Sequence, residues 1–165
     1  DSGVSKMTSR FDATKPIRIH GFTISDYHAK NRWLSLREIL VYSSNIGAAK
    51  MAMTVGTARQ RKYLKLFGLT RAAGIELPEV GTPLTPDRWR DINTMTIAYG
   101  HGIAVSPVQL ASGVAAVANG GIFYPPTLIK RRPGDDIVGT RVLSPTTSEQ
   151  MRRLLRLAVV KGTGA

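Results

Sequence analysis

The chain has 165 residues, with 23 Lys or Arg against 11 Asp or Glu, which gives a formal net charge of +12. It contains no cysteine, so disulfide bonds and thiolate metal sites are excluded, and its three scattered histidines form no ligand-spaced pair. We therefore expect neither a metal nor a cofactor. Hydrophobic residues make up 42% of the chain, which is enough for a core, but no apolar run could span a bilayer and no signal peptide opens the sequence.

The positive charge would suit an anionic partner such as nucleic acid, acidic lipid headgroups or an acidic polymer. The basic residues are dispersed, however, and their densest groups, at 59–62 and 152–153, fall within amphipathic helical patterns. A solvated basic helix face is therefore favoured over a dedicated binding surface.

The first predicted element is a short hairpin. Ile17 and Ile19 alternate with their neighbours as strand residues do, and so do Phe22 and Ile24. Residues 20–21, His-Gly, lie between them and would form the turn.

Two helices are predicted next, and both have clear ends. Ser35 and Glu38 form a capping box, in which each side chain satisfies an amide at the start of the helix. The second helix is rich in Ala and Met, and Gly56 is its natural end.

Three consecutive residues that favour helix ends separate these helices: Ser43, Ser44 and Asn45. They predict a tight turn that exposes the side chains of Ser43 and Asn45. A hydroxyl and a carboxamide fixed between two helices are a plausible pair of hydrogen-bonding groups for a site, although simple helix capping also explains these residues.

Two further helices are predicted on either side of the centre of the chain. Residues 57–67 have helical periodicity and Gly68 ends the helix, while residues 145–160 form the last predicted helix. Between them, residues 69–91 are rich in Gly and Pro and predict a long loop, a feature that is often functional.

A fifth helix has a clear beginning. Ser106 is its cap, Pro107 occupies the first helical position and Gln109 completes a capping box. Residues 110–118 are small or apolar, which predicts that this helix is buried.

Short strands are predicted around this helix and beyond it. Residues 122–124 and 128–130 are strand candidates, a turn is expected at 133–136, and residues 137–138 and 141–143 could form the answering strand. The sequence thus predicts about five helices and one or two small hairpins, either as a mainly helical module or as part of a domain whose sheet lies outside this stretch.

Several of these stretches, in this order, resemble the transpeptidase domain of class B penicillin-binding proteins, of the division-specific or elongation-specific kind. The turn resembles the S-x-N motif of the family, and the block from Ile97 to Gly121, with Tyr-Gly-His-Gly followed by Ser-Pro-Val-Gln-Leu-Ala, is the more specific match. The resemblance covers roughly Ser35 to Ala165 and is carried by residues 42–47, by 67–69 with 74–79, by 99–111, by 118–121, and by 159–160 with 162–164.

The resemblance implies an α/β fold of the penicillin-binding transpeptidase and serine β-lactamase type. The family motif set is S-x-x-K, an S-x-N triplet and K-T-G. No Ser here is followed three residues later by Lys, and Lys161-Gly162-Thr163-Gly164 has an intervening Gly. We therefore expect residues 1–165 to be the mainly helical part of the domain, without the S-x-x-K and K-T-G segments and without most of the central sheet.

The resemblance also implies serine acyl transfer between peptidoglycan stem peptides, with β-lactams as inhibitors. Ser43 would relay a proton, and Asn45 would hold the absent lysine and donate to the substrate carbonyl. His101, Tyr99 and Gly102 are candidate substrate-binding residues, although His101 could equally be an ordinary loop residue and Tyr99 a packing residue. Since the nucleophile is not in this chain, the chain alone is expected to be inactive.

The same resemblance implies a parent protein held in the bacterial cytoplasmic membrane by an upstream helix, with this domain on the periplasmic or external side. Other cell-wall synthesis or division proteins are possible partners, and nucleic acid is not expected. Two alternatives remain: a β-lactam-binding sensor or D,D-carboxypeptidase on the same fold, and, more remotely, a basic helical module that binds nucleic acid or acidic polymer. Aromatic residues are only 7% of the chain and are not interleaved with the basic ones, which disfavours the last alternative.

Overall fold

The computed structural model describes residues 3–132 and 134–164. In this part of the chain there are six helices: α1 (Leu36–Val41), α2 (Asn45–Val55), α3 (Thr57–Leu66), α4 (Asp91–Ile97), α5 (Pro107–Ala118) and α6 (Pro145–Lys161). The strands are β1 (Arg10–Asp12), β2 (Ile17–Ile19), β3 (Phe22–Ile24), β4 (Trp33–Ser35), β5 (Ile122–Phe123) and β6 (Thr140–Arg141). They pair antiparallel as β1–β4, β2–β3 and β5–β6. The described residues are thus mainly helical, as expected, but they form six helices and three two-stranded sheets where about five helices and one or two hairpins were predicted.

The chain divides into two compact units. The first consists of Arg61–Thr85 and Ile103–Arg152. The second consists of the described residues up to Gln60, of Pro86–Gly102 and of the described residues from Arg153 onward. The boundaries fall within α3 and α6.

In the second unit, the β1–β4 pair and the helices α1 and α2 enclose a core. Phe11 lies opposite Leu34 in the antiparallel register, and Leu34 is fully buried. Ile39 of α1 and Ile46 of α2 pack into the same cluster. The capping box predicted for α1 is present: Ser35 N donates to Glu38 Oε2 over 2.8 Å, and Glu38 N donates back to Ser35 Oγ over 3.3 Å.

The predicted hairpin is confirmed as the β2–β3 pair, in which Ile17 lies opposite Ile24 and Ile19 opposite Phe22. His20 and Gly21 form the two-residue turn, with φ values of 47° and 80°. Two successive positive φ angles match the right-handed twist of the paired strands, and Gly adopts such a φ without strain.

In the first unit, α5 begins as predicted, with Ser106 and Gln109 in a capping box. The prediction that α5 is buried is wrong for its large residues, because Leu110 is 53% and Val114 51% exposed. In the described residues, α5 is covered mainly along the stripe that carries Gln109, Gly113 and Ala116, all buried. The apolar pattern of the sequence therefore predicted the helix itself but did not predict what fraction of its surface is buried.

Two predicted strands, 128–130 and 137–138, are not strands. The amide of Leu128 donates to Glu76 Oε2 over 2.9 Å, so a carboxylate takes the hydrogen bond that a partner strand would otherwise accept. The strand that answers β5 is instead the short β6. Pro133 lies outside the described residues, but Arg132 and Asp135 do form a turn, since Asp135 N donates to Arg132 O over 3.1 Å.

Gly120 and Gly121 provide a matched test of the packing that joins α5 to β5. Both have a positive φ, of 98° and 89°, so alanine strains the backbone at either position by roughly 1–3 kcal/mol. A Cβ at Gly120 meets nothing within 4 Å, whereas a Cβ at Gly121 would overlap the carbonyl of Leu143. We expect Gly121→Ala to lower the free energy of unfolding by about 1–3 kcal/mol more than Gly120→Ala does. Equal losses in urea unfolding would contradict this packing.

Candidate functional site

The turn between α1 and α2 has the predicted form. Ser44 N donates to Ile39 O over 3.0 Å and Ser43 N donates to Leu40 O over 3.3 Å, which closes the end of α1. Ser43 is exposed and has a φ of 52°. A left-handed conformation is uncommon for a residue other than Gly, and such residues concentrate at functional sites.

The carboxylate of Asp26 anchors this turn from outside it. Ser44 Oγ donates to Asp26 Oδ2 over 2.7 Å, and Ile46 N donates to Asp26 Oδ1 over 2.9 Å. The same Ser44 Oγ accepts from Gly47 N over 3.0 Å, so the buried Ser44 caps α2. Amides in the first turn of a helix have no intrahelical partner, and a negative charge there is favourable.

Sequence reasoning missed Asp26. It lies 18 residues before Ser44. Capping patterns are local, with an acidic residue three positions from the cap, so no such pattern links these two residues. The only available signal was an isolated acidic residue two positions after the predicted second strand of the hairpin.

Asn45 lies next to this anchor and keeps part of its side chain free. Its Nδ2 donates to the carbonyl oxygen of Ser25 over 2.9 Å. Within residues 3–132 and 134–164, no hydrogen bond reaches Oδ1 of Asn45 or Oγ of Ser43. The turn therefore presents one hydroxyl, one amide oxygen and the second Nδ2 hydrogen to a ligand.

Two glycines let other chain segments approach the turn closely. A Cβ at Gly47 would lie 2.5 Å from Cγ1 of Ile39, so only glycine lets α2 pack this tightly on α1. A Cβ at Gly162 would overlap the carbonyl oxygen of Val41, the last residue of α1, and Thr163 N approaches the same oxygen at 3.4 Å. The Gly162-Thr163-Gly164 segment is thus held directly beside the turn.

The other candidate residues, Tyr99, His101 and Gly102, line one cleft of about 490 Å³. α4 ends just before them, and His101 N donates to the carbonyl oxygen of Thr96 over 3.0 Å. Gly102 has a φ of 111°, and a Cβ there would lie 3.0 Å from Thr96 Oγ1. Tyr99 packs partly against the core of the unit, and burial raises the pKa of its hydroxyl.

The structure brings the candidates together in two groups, since neither Ser43 nor Asn45 lines the cleft. One continuous segment connects the groups. Residues 22–24 of β3 line the cleft, and the next two residues, Ser25 and Asp26, accept hydrogen bonds from the turn. The two groups are therefore joined by residues 22–26, one short stretch of backbone.

Basic side chains border the turn on its Tyr42 side. Lys30 Nζ lies 4.7 Å from the centre of the Tyr42 ring, and the Arg32 guanidinium lies 5.9 Å from it. Arg32 also pairs with Glu38 over 2.7 Å. The hydrogen bond from Arg32, followed by those from Ser35, lowers the pKa of Glu38 from 4.5 to about 2.

No cluster of metal-ligating side chains occurs in the described ranges, and no helix there is both long and apolar enough to cross a bilayer.

Comparison with known proteins places these features in a family. The family model described as "Penicillin binding protein transpeptidase domain" matches residues 1–165. The chain is 42% identical over 164 residues to a probable peptidoglycan D,D-transpeptidase FtsI of Caulobacter vibrioides, covering 99% of this chain and 28% of that protein. It is 31% identical over 153 residues to the peptidoglycan D,D-transpeptidase FtsI of Escherichia coli K12, covering 92% of this chain and 26% of that protein.

A solved structure agrees with these matches. The transpeptidase domain of penicillin-binding protein 3 from Burkholderia pseudomallei superposes with a TM-score of 0.85 at 31% identity, covering 95% of this chain and 48% of that one. The expected fold is thereby confirmed. The chain spans about a quarter of the length of the curated relatives named above.

The Asp26 anchor predicts a local loss of order when its carboxylate is removed. Asp26→Ala leaves Ser44 Oγ and Ile46 N without their acceptor, so we expect the free energy of unfolding to fall by about 2–3 kcal/mol. The amide of Ile46 should also exchange with solvent faster than other α2 amides. Asp136→Ala removes an exposed carboxylate of the first unit and is the control. Unchanged exchange at Ile46 would contradict the anchor.

The depressed pKa of Glu38 predicts a pH-dependent contribution to stability. Because the carboxylate titrates lower in the folded state than in the unfolded state, its contribution is complete above about pH 4.5 and is lost as the pH falls toward about 2. Glu38→Gln keeps a capping-box residue but removes the charge, so it should be slightly less stable than the wild type at pH 7, by less than about 1 kcal/mol. The difference should shrink over that pH window. A difference that is constant with pH would argue against the Arg32 pairing.

Proposed function

The chain belongs to the family of penicillin-binding protein transpeptidase domains, and from this premise we propose that the complete protein is a peptidoglycan D,D-transpeptidase. It cross-links stem peptides by serine acyl transfer and is a target of β-lactams. The observation that supports this most is the anchored turn, where Ser43 and Asn45 keep free polar atoms while Gly162-Thr163-Gly164 packs beside them.

In this proposal the nucleophilic serine and its lysine belong to an S-x-x-K segment that precedes this chain. The lysine takes the proton of the serine hydroxyl as the serine oxygen bonds to the carbonyl carbon between two D-alanine residues, and the C–N bond breaks as that proton reaches the departing amine. An amine of a second stem peptide then attacks the acyl ester, and its proton returns to the serine oxygen as the serine leaves. Ser43 Oγ relays the proton, because a hydroxyl both donates and accepts.

Asn45 holds the reacting groups in place. Its free Oδ1 is an acceptor for the ammonium of the lysine. An amide nitrogen carries two hydrogens, and since one is used by Ser25 O, the other is available to the substrate carbonyl. The bond to Ser25 O thus fixes the orientation of the carboxamide for both contacts.

The placement of the whole protein follows from the same family membership. We propose that residues 1–165 form part of a transpeptidase domain that is completed by S-x-x-K upstream and K-T-G downstream of them. The domain acts on the outer side of the bacterial cytoplasmic membrane, anchored by a helix outside this chain. Other cell-wall synthesis or division proteins are its expected partners, and this chain alone is inactive.

Fluorescent penicillin tests the proposal on the complete protein. Ser43→Ala and Asn45→Ala should each slow acylation roughly 100-fold or more, since proton transfer and positioning of the base are worth about that much. Thr54→Ala is the matched control, because Thr54 is exposed on α2 and its hydroxyl donates to the Lys50 carbonyl of the same helix. We expect it to label at the wild-type rate.

Three outcomes would count against the proposal. If the complete protein is folded but does not react with fluorescent penicillin, the transpeptidase function is ruled out. Labelling of the 165-residue chain by itself would place the nucleophile inside it and overturn the assignment of Ser43 and Asn45. If the labelled protein only hydrolyses a D-alanyl-D-alanine peptide and never transfers it to an added amine, the function is that of a carboxypeptidase.

A further inference from the structure

The cleft that Tyr99 and His101 line also contains two arginines, Arg88 and Arg90. Both are exposed, and neither forms an ion pair within the described residues. No Asp or Glu is among the residues that line the cleft. Asp87 and Asp91 flank the two arginines in the sequence, but neither lines the cleft. Arg32 and Lys50 of the same unit, by contrast, each pair with a carboxylate.

The remaining surface of the cleft is suited to a peptide. The apolar side chains of Phe22, Ile24 and Ile92 line it together with the amide of Asn93. Phe22 is 65% exposed, so its ring is available to a ligand. A site that combines apolar contacts with a few placed polar groups is typical of small organic ligands and peptides.

A guanidinium group recognises a carboxylate through two parallel N–H···O bonds, and such charge-assisted bonds are stronger than neutral ones. We propose that Arg88 and Arg90 bind a carboxylate of the peptide substrate in this cleft. The proposal rests on the proposed transpeptidase function and adds a determinant of substrate choice to it. Because β3 lines the cleft and continues into Ser25 and Asp26, a peptide held there lies along the segment that also contacts the turn.

The test uses the complete protein and two synthetic donor peptides. Both end in D-alanyl-D-alanine, and they differ only in whether the preceding side chain ends in a carboxylate or in a carboxamide. The wild type should use the carboxylate donor with the higher kcat/KM. Arg88→Gln combined with Arg90→Gln should reduce that kcat/KM by about 10- to 100-fold and leave the carboxamide donor within about 2-fold.

Two further variants make the comparison specific. Arg59→Gln removes an exposed arginine of α3 that does not line the cleft, and it should change neither donor. Arg88→Lys keeps the charge but loses the bidentate geometry, so it should retain only part of the wild-type preference for the carboxylate donor. Thermal unfolding of each variant at the wild-type temperature checks that the fold is intact.

Labelling with fluorescent penicillin distinguishes the side-chain carboxylate of the donor from its C-terminal carboxylate. It also distinguishes failure of the proposed carboxylate site from failure of the proposed function. If the double variant labels normally but loses the donor preference, the bound carboxylate is on the side chain. If labelling and the use of both donors fall by the same factor, the bound carboxylate is the C-terminal one, which penicillin also carries. If labelling stays normal and the use of neither donor changes, the proposed carboxylate site is wrong while the transpeptidase function stands. If the wild type does not react with penicillin, the proposed transpeptidase function itself is wrong.

Discussion

The carboxylate of Asp26 is the constraint on which the candidate site depends. It accepts from Ser44 Oγ and from Ile46 N, and so fixes both the cap and the first turn of α2. With α2 fixed, Ser43 takes a left-handed conformation and Asn45 reaches the carbonyl of Ser25. Hydrogen bonds to a charged acceptor are stronger than neutral ones, so this side chain adds to the backbone hydrogen bonds that close the turn.

Two glycines permit close contacts on either side of the turn that Asp26 anchors. Gly47 lets α2 approach Ile39 of α1, and Gly162 lets the segment that follows α6 approach Val41. Both positions exclude any larger side chain because of their neighbours, and neither has a positive φ. The candidate site is therefore built by close packing on both sides of one short turn, which leaves Ser43 Oγ and Asn45 Oδ1 without a hydrogen-bond partner in the described residues.

The sequence predicted the local parts of this arrangement and not the long-range ones. The capping boxes at Ser35 and Ser106 and the turn at Ser43 follow from contacts between residues three or four apart, and all are present. The role of Asp26 depends on a hydrogen bond across 18 residues, which no local pattern encodes. Likewise Glu76 takes the amide of Leu128 across 52 residues, which removed a predicted strand. The candidate residues themselves came from the resemblance to a family, because composition and periodicity alone favoured capping for Ser43 and Asn45.

The central claim is that Ser43 and Asn45 face a serine acyl-enzyme. A crystal structure of the complete protein after reaction with a penicillin tests it most directly. We expect the acyl group on a serine that precedes this chain. The Asn45 carboxamide should lie within hydrogen-bond distance of the amide in the acyl side chain. Ser43 Oγ should lie within hydrogen-bond distance of the active-site lysine or of the penicillin ring nitrogen. An acyl group attached elsewhere, with Asn45 and Ser43 remote from it, would contradict the account.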